Sequence, residues 1–172
     1  MLKMFTTQLM GLFKRIEGKE EFAFEDGARL LTQAPAGEGC IYIFGAREMK
    51  AIESEALQGA EPLTSAKVLM NVAELTDADR VLLFTRTSAD QEAITLAVQL
   101  QEKGIPMVAV STAVEDGQLT DLADVHINLQ LKKGLLPDDE GNRFGYPASM
   151  AGLYAYYGLK FTIDEILTEY DL

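Results

Sequence analysis

Cysteine, histidine and positive charge are all scarce in this 172-residue chain, and each scarcity closes off a class of function. Cys40 is the only cysteine, so neither an intrachain disulfide nor a thiolate metal cluster can form. It heads an apolar run, where a small buried thiol is the expected state. His126 is the only histidine, and one imidazole cannot build a His-rich metal centre. Its setting, Asp-Val-His-Ile-Asn-Leu, reads as a strand, so a satisfied structural histidine is expected there. No metal and no cofactor is expected. No stretch approaches the ~20 apolar residues of a membrane span. The N-terminus lacks the apolar core and cleavage site of a secretory signal, so the cytoplasm is the expected setting.

Fifteen Lys and Arg stand against 27 Asp and Glu, a net charge of −12. That argues against nucleic acid and anionic membrane surfaces as partners, since both need a concentrated basic surface. A small anionic ligand remains compatible, because backbone dipoles and one or two arginines act at short range. Apolar residues make up 48% of the chain, enough at this length for a single domain, 1–172, with a real core.

Apolar residues at Leu2, Phe5, Leu9, Leu12 and Ile16 form one helical stripe, a narrow seam of the kind that suits a partner helix. Gly18 and the charged run after it predict a break, and residues 20–34 a second helix with Phe24, Ala28 and Leu31 inward. From there short apolar strands alternate with helices. Strands are predicted at 40–44, 67–70, 81–85, 106–111 and 124–129, and helices at 47–58 and 91–103, the latter capped by Gly104. Residues 132–145 read as a loop, 147–158 as a helix, and 163–170 as another. Continuous apolar strands separated by helices predict an α/β fold: a three-layer, doubly wound, five-stranded parallel sheet behind two leading helices.

In such sheets ligands bind beyond the carboxyl ends of the strands. There the sequence gathers Gly45, Ala46, Arg47 and Glu48, then Thr85 to Asp90, then Ser111 and Thr112. The stretch 81–92 is the most telling, with four apolar residues followed by Thr85, Thr87 and Ser88 and by Asp90 opening a helix. Free N–H groups and the positive end of the helix dipole make that junction a place for a phosphate. Asp90 as an ordinary N-cap, with the hydroxyls capping the turn, is the simpler account of the same residues.

These residues resemble the sugar isomerase (SIS) domain of phosphoheptose isomerase and its relatives, and more closely a small uncharacterised Firmicute family related to it. Against the SIS pattern Ser-x-Ser-Gly-x-Thr, Thr85 and Thr87 fall on the serines, Ser88 on the glycine and Asp90 on the threonine. The resemblance implies a flavodoxin-like topology, a homodimer, and a small phosphorylated sugar bound by Gly45, Ala46, Arg47, Thr85, Thr87, Ser88, Ala89, Asp90, Ser111 and Ser149. Residues 143–149 resemble the loop that closes the sugar site across a dimer interface. Asp90 departs from the pattern. Two unit charges 4 Å apart cost about 4 kcal/mol at an effective dielectric of 20, so a carboxylate there opposes phosphate. The first loop departs as well, with Arg47 and Met49 in place of a glycine and a serine. Arg47 either binds phosphate or pairs with Glu48, Asp90 or another carboxylate.

Aldose–ketose phosphosugar isomerisation needs a general base and an acid, a Glu and a late-helix His in the isomerase relatives. No His follows position 126, and Glu53, Glu55 and Glu61 read as solvated helix charges. The resemblance therefore implies the fold and phosphosugar binding, without an identifiable catalytic pair. A catalytically degenerate domain serving as a dimeric interaction or regulatory module is the alternative. A receiver domain, flavodoxin-type FMN binding and a Rossmann dinucleotide site each lack their expected residues after the first strand.

Overall fold

A computed structural model describes residues 1–171. Five parallel strands form the central sheet: β1 (Ile41–Gly45), β2 (Ala66–Val68), β3 (Arg80–Thr87), β4 (Met107–Thr112) and β5 (Val125–Asn128), in the order β2-β1-β3-β4-β5. The chain runs outward from β1 to β2, then crosses back to place β3 on the other side of β1. That reversal between β1 and β3 is the topological switch point.

Helices cover both faces, giving the expected three layers. On one face α1 (Leu2–Ala36), α2 (Lys50–Gln58) and α5 (Ala148–Glu169) pack against Ile41, Ile43, Leu82, Phe84, Val108 and Val110. On the other, α3 (Gln91–Lys103) and the short α4 (Leu119–Leu122) pack against Val81, Leu83, Met107 and Ala109. The alternation of side chains along each strand feeds the two cores in turn. Each fully buried side chain of this size contributes about 1.5–3 kcal/mol. Among the described residues no helix is long and apolar enough to cross a membrane, and no group of three metal-ligating side chains gathers.

Two corrections concern the ends. The two leading helices are one, 35 residues long and unbroken at Gly18. Leu12, Ile16, Ala28 and Leu31 are all fully buried on its inner face, so tertiary burial carries the helix through a glycine whose cost is about 1 kcal/mol. It follows that the back half of the apolar seam already belongs to the protein's own core, while Leu2 at its front is exposed. The two closing helices are likewise one, since Gly158 continues α5 where Phe24 of α1 comes close. A Cβ there would lie 2.8 Å from the Phe24 ring. The loop 132–145 also holds a small hairpin, β6 (Leu136–Pro137) with β7 (Arg143–Phe144).

Two aspartates do the same job at two strands. Asp79, just before β3, accepts the Cys40 N–H at 2.8 Å, and Asp124, just before β5, accepts the Met107 N–H at 2.8 Å. Each carboxylate thus ties the start of its strand to the neighbouring one. Burial opposes ionisation of Asp79, yet the N–H groups of Thr76 and Cys40 hold its carboxyl below the usual carboxylate range.

Candidate functional site

At the switch point the chain leaves β1 through a turn that demands glycine. A Cβ on Gly45 would lie 2.2 Å from the Met49 carbonyl oxygen, so the backbone can fold back on itself only here. Arg47 follows with φ +51°, in the left-handed region, and its guanidinium is exposed. A single 3-10 turn, Arg47–Met49, then leads into α2. The Gly45 N–H donates to Glu53 Oε1 at 2.9 Å, so Glu53 secures the turn rather than standing in solvent. Glu55 is engaged too, accepting the Tyr157 hydroxyl at 2.5 Å.

Across from this turn, β3 ends in Thr85, Arg86 and Thr87, and α3 begins after Asp90. Asp90 is an N-cap, with its Oδ1 accepting the Ala93 N–H at 3.0 Å. Between the two turns lies a cavity of about 340 Å³, lined by Ala46, Arg47, Glu48, Thr85 to Thr87, Ala89 and Asp90 to Glu92. Thr85 is fully buried and its hydroxyl has no hydrogen-bond partner. Arg86 Nε donates to Glu48 Oε1 at 2.7 Å, closing one side. Burial would raise the Glu48 carboxyl, but the Arg86 hydrogen bond and the nearby guanidinium charges outweigh it and hold it below the usual range. The same bond raises the Arg86 guanidinium. Tyr146, in the loop before α5, is close enough for both charges to act on its phenol, which burial pushes up.

Of the ten residues expected to bind ligand, six line this cavity: Ala46, Arg47, Thr85, Thr87, Ala89 and Asp90. Four do not. Gly45 lies buried beneath the turn. Ser88 is fully buried, its Oγ accepting the Val114 N–H at 2.9 Å, so it braces the loop after β4. Ser111 is fully buried against His126, with Oγ and Nε2 2.7 Å apart. Burial lowers that imidazole to about 4, so His126 is neutral near pH 7, structural, and away from the cavity. Ser149 lies in the first turn of α5, outside the lining.

The sequence does not single out Arg86, Gln91 and Glu92 as cavity residues. Of the two roles it leaves open for Arg47, the ion pair does not form among the described residues, since Glu48 pairs with Arg86. The signal for Arg86 was its place between two threonines at a strand end, where alternation turns it away from Thr85. The tyrosines of α5 are packing groups: Tyr154 stacks on Phe13 with ring centres 4.4 Å apart, and Tyr156 is buried. A second, larger cleft of about 690 Å³ runs on from Gln91 and Glu92 along α3 towards Leu69 and Val72.

Comparison with known proteins agrees with this architecture. The chain belongs to the family described as Domain of unknown function (DUF2529), whose model matches residues 1–167. It is 46% identical over 172 residues to the uncharacterized protein YwjG of Bacillus subtilis, covering 99% of each chain. Among solved structures it resembles phosphoheptose isomerase GmhA from Neisseria gonorrhoeae, with TM-score 0.64, 12% identity, and 96% and 99% of the two chains covered. It also resembles the sugar isomerase domain of the RpiR transcription factor from Sphaerobacter thermophilus, with TM-score 0.63, 14% identity, and 98% and 89% covered. The fold is that of the SIS domain.

Proposed function

With the SIS fold as premise, we propose that the protein binds a phosphorylated sugar derivative in the switch-point cavity. The observation that carries this reading is that Arg47, Arg86 and Thr87 line one cavity with the start of α3, and that Thr85, in the same lining, keeps a fully buried hydroxyl without a partner. An unsatisfied buried hydroxyl costs about 1–3 kcal/mol, a cost that a ligand oxygen would remove. Thr87, the N–H groups at the start of α3, and Arg86 released from Glu48 complete a phosphate-sized set of donors.

Binding, rather than isomerisation, is the activity proposed. Moving a proton between adjacent carbons needs a base free to accept it and an acid at the carbonyl oxygen. Here Glu48 is held ionised by Arg86, Asp90 caps α3, and His126 lies on β5 with its Nε2 on Ser111. A homodimer in the cytoplasm belongs to this reading.

Thermal melting with millimolar hexose, pentose and heptose phosphates tests it. Ligand at 100 times its dissociation constant adds about 2.7 kcal/mol, a rise of several degrees for a chain of this size. The rise should vanish in Thr87→Ala and grow in Asp90→Thr, which keeps a capping oxygen and removes the charge. No rise with any sugar phosphate, in either wild type or Asp90→Thr, rejects the reading.

A second reading, an association module, draws on one feature. Phe22 and Phe161 are 79% and 54% exposed beside a groove of about 600 Å³ between α1 and α5, lined by Phe24, Tyr154 and Tyr157. If that face carries the association, Phe22→Asp with Phe161→Asp yields a monomer by light scattering where wild type gives a dimer.

A further inference from the structure

A second concave site lies where the first half of α1 passes the segment that follows β5. Its cavity, about 380 Å³, is lined by Arg15 and Lys19 of α1, by Lys132 and Lys133, and by Arg143 of β7, with no Asp or Glu in its walls. Those five are a third of the chain's 15 basic residues, in a protein of net charge −12. With acids so abundant, cations are expected to find carboxylate partners. Among the described residues four ion pairs form, and none uses any of these five. The nearest acid in sequence, Glu20, turns both oxygens to the strand end, accepting the Asn128 N–H and the Gln130 side-chain amide at 3.0 Å each.

The donors are also arranged in advance. Arg143 is fixed by two bonds, Nε to the Gly134 carbonyl and Nη2 to the Leu135 carbonyl, both 3.0 Å, which leaves Nη1 free. The backbone N–H groups of Lys132, Lys133 and Gly134 donate to no protein acceptor among the described residues. Successive free amides flanked by cations form the kind of concavity that holds anions.

We propose that this cavity binds a small ligand carrying two or more phosphate groups, independently of the switch-point cavity. Five cations without a carboxylate exceed what one phosphate monoester can neutralise. The site is concave and the rest of the surface strongly acidic, which excludes an extended polyanion such as a nucleic-acid strand.

The probe is inorganic pyrophosphate at millimolar concentration and low salt, with orthophosphate as control, read by thermal melting and calorimetric titration on the full chain. Pyrophosphate should raise the melting temperature by several degrees and bind roughly tenfold more tightly than orthophosphate, since each added anionic group meets further cations at short range. The effect should disappear in Lys132→Gln with Lys133→Gln and persist in Thr87→Ala, which separates this site from the switch-point cavity. Both lysines are exposed, so the double variant should melt like wild type without ligand. Should it not, Lys19→Gln on the facing helix must show the same loss. The proposal is overturned by the absence of a pyrophosphate effect, by an equal effect of orthophosphate, or by an effect that survives the lysine variants or vanishes in Thr87→Ala. Salt-sensitive self-association abolished by the lysine variants, with no pyrophosphate effect, would overturn it in favour of an acidic face of a second copy.

Discussion

Two cavities open at the carboxyl edge of one sheet, two strands apart, and they differ in sign. The switch-point cavity sets Arg47 and Arg86 against Glu48, Asp90 and Glu92. The cavity beyond β5 sets five cations against no acid at all. Topology places the first, because the crossing between β1 and β3 leaves a crevice whatever side chains line it. Side chains alone make the second, which no rule of α/β topology requires. The contrast teaches that a fold nominates a position for a ligand, while the charge that selects the ligand is a separate property of the sequence.

The buried contact between β4 and β5, the last two strands in the sheet, offers the largest effect. Ser111 of β4 lies against His126 of β5, and Thr112 Oγ1 accepts the Leu131 N–H at 3.2 Å. Burial lowers His126 from its ordinary 6.5 to about 4. Below pH 6.5 the unfolded chain takes a proton that the folded protein refuses until about pH 4. Its contribution is therefore complete above 6.5, is lost as pH falls, and amounts to about 3 kcal/mol. Melts at pH 7 and pH 4.5 should show most of this loss, and His126→Gln should flatten the profile in that window. A wild-type profile already flat there would mean that the buried contact tolerates a charge.

The extent to which the sequence revealed each cavity follows from how local its residues are. The hydroxyl junction of 85–90 is contiguous, and its helix is found at Gln91–Lys103, as the periodicity predicts. Strand positions were legible because each is a short apolar run, displaced by a residue or two at the ends. The single α1 was not legible, since Gly18 is a local signal and the burial that overrides it comes from α5 and the sheet. Ser88 and Ser111 lie outside the cavity lining because a hydroxyl at a strand end can face a pocket or a neighbouring group, and only packing decides. The basic cavity assembles residues 15–19, 132–133 and 143, whose meeting depends entirely on the tertiary fold.

A smaller effect tests whether the switch-point cavity is held open for a ligand. Thr85→Val replaces an unpartnered buried hydroxyl by a methyl of nearly the same size. Removing the unsatisfied group should stabilise the protein by about 1–2 kcal/mol, or roughly 2–8 °C. It should also weaken the sugar-phosphate effect while leaving the pyrophosphate effect intact. A binding site that costs stability when empty behaves this way. A Thr85→Val protein no more stable than wild type would assign the hydroxyl to packing alone.

The smallest effect on the fold sharpens the comparison most. Glu48→Gln removes the charge that occupies Arg86, and because the pair is partly exposed the loss of stability should be about 0.5 kcal/mol or less. With Arg86 released and one acid gone, the balance of charge in the switch-point cavity turns towards that of its basic neighbour. Affinity for a sugar phosphate should then rise, by roughly threefold to tenfold at low salt and less at high salt. Pyrophosphate binding beyond β5 should not change, which makes it an internal control in the same titration. A fall in affinity would be equally instructive, since carboxylates accept hydrogen bonds from sugar hydroxyls as readily as they repel phosphate. Glu48 would then serve the sugar ring, and the mixed charge of the switch-point cavity would reflect a ligand of mixed character, with hydroxyls facing Glu48 and phosphate facing Thr85 and Thr87.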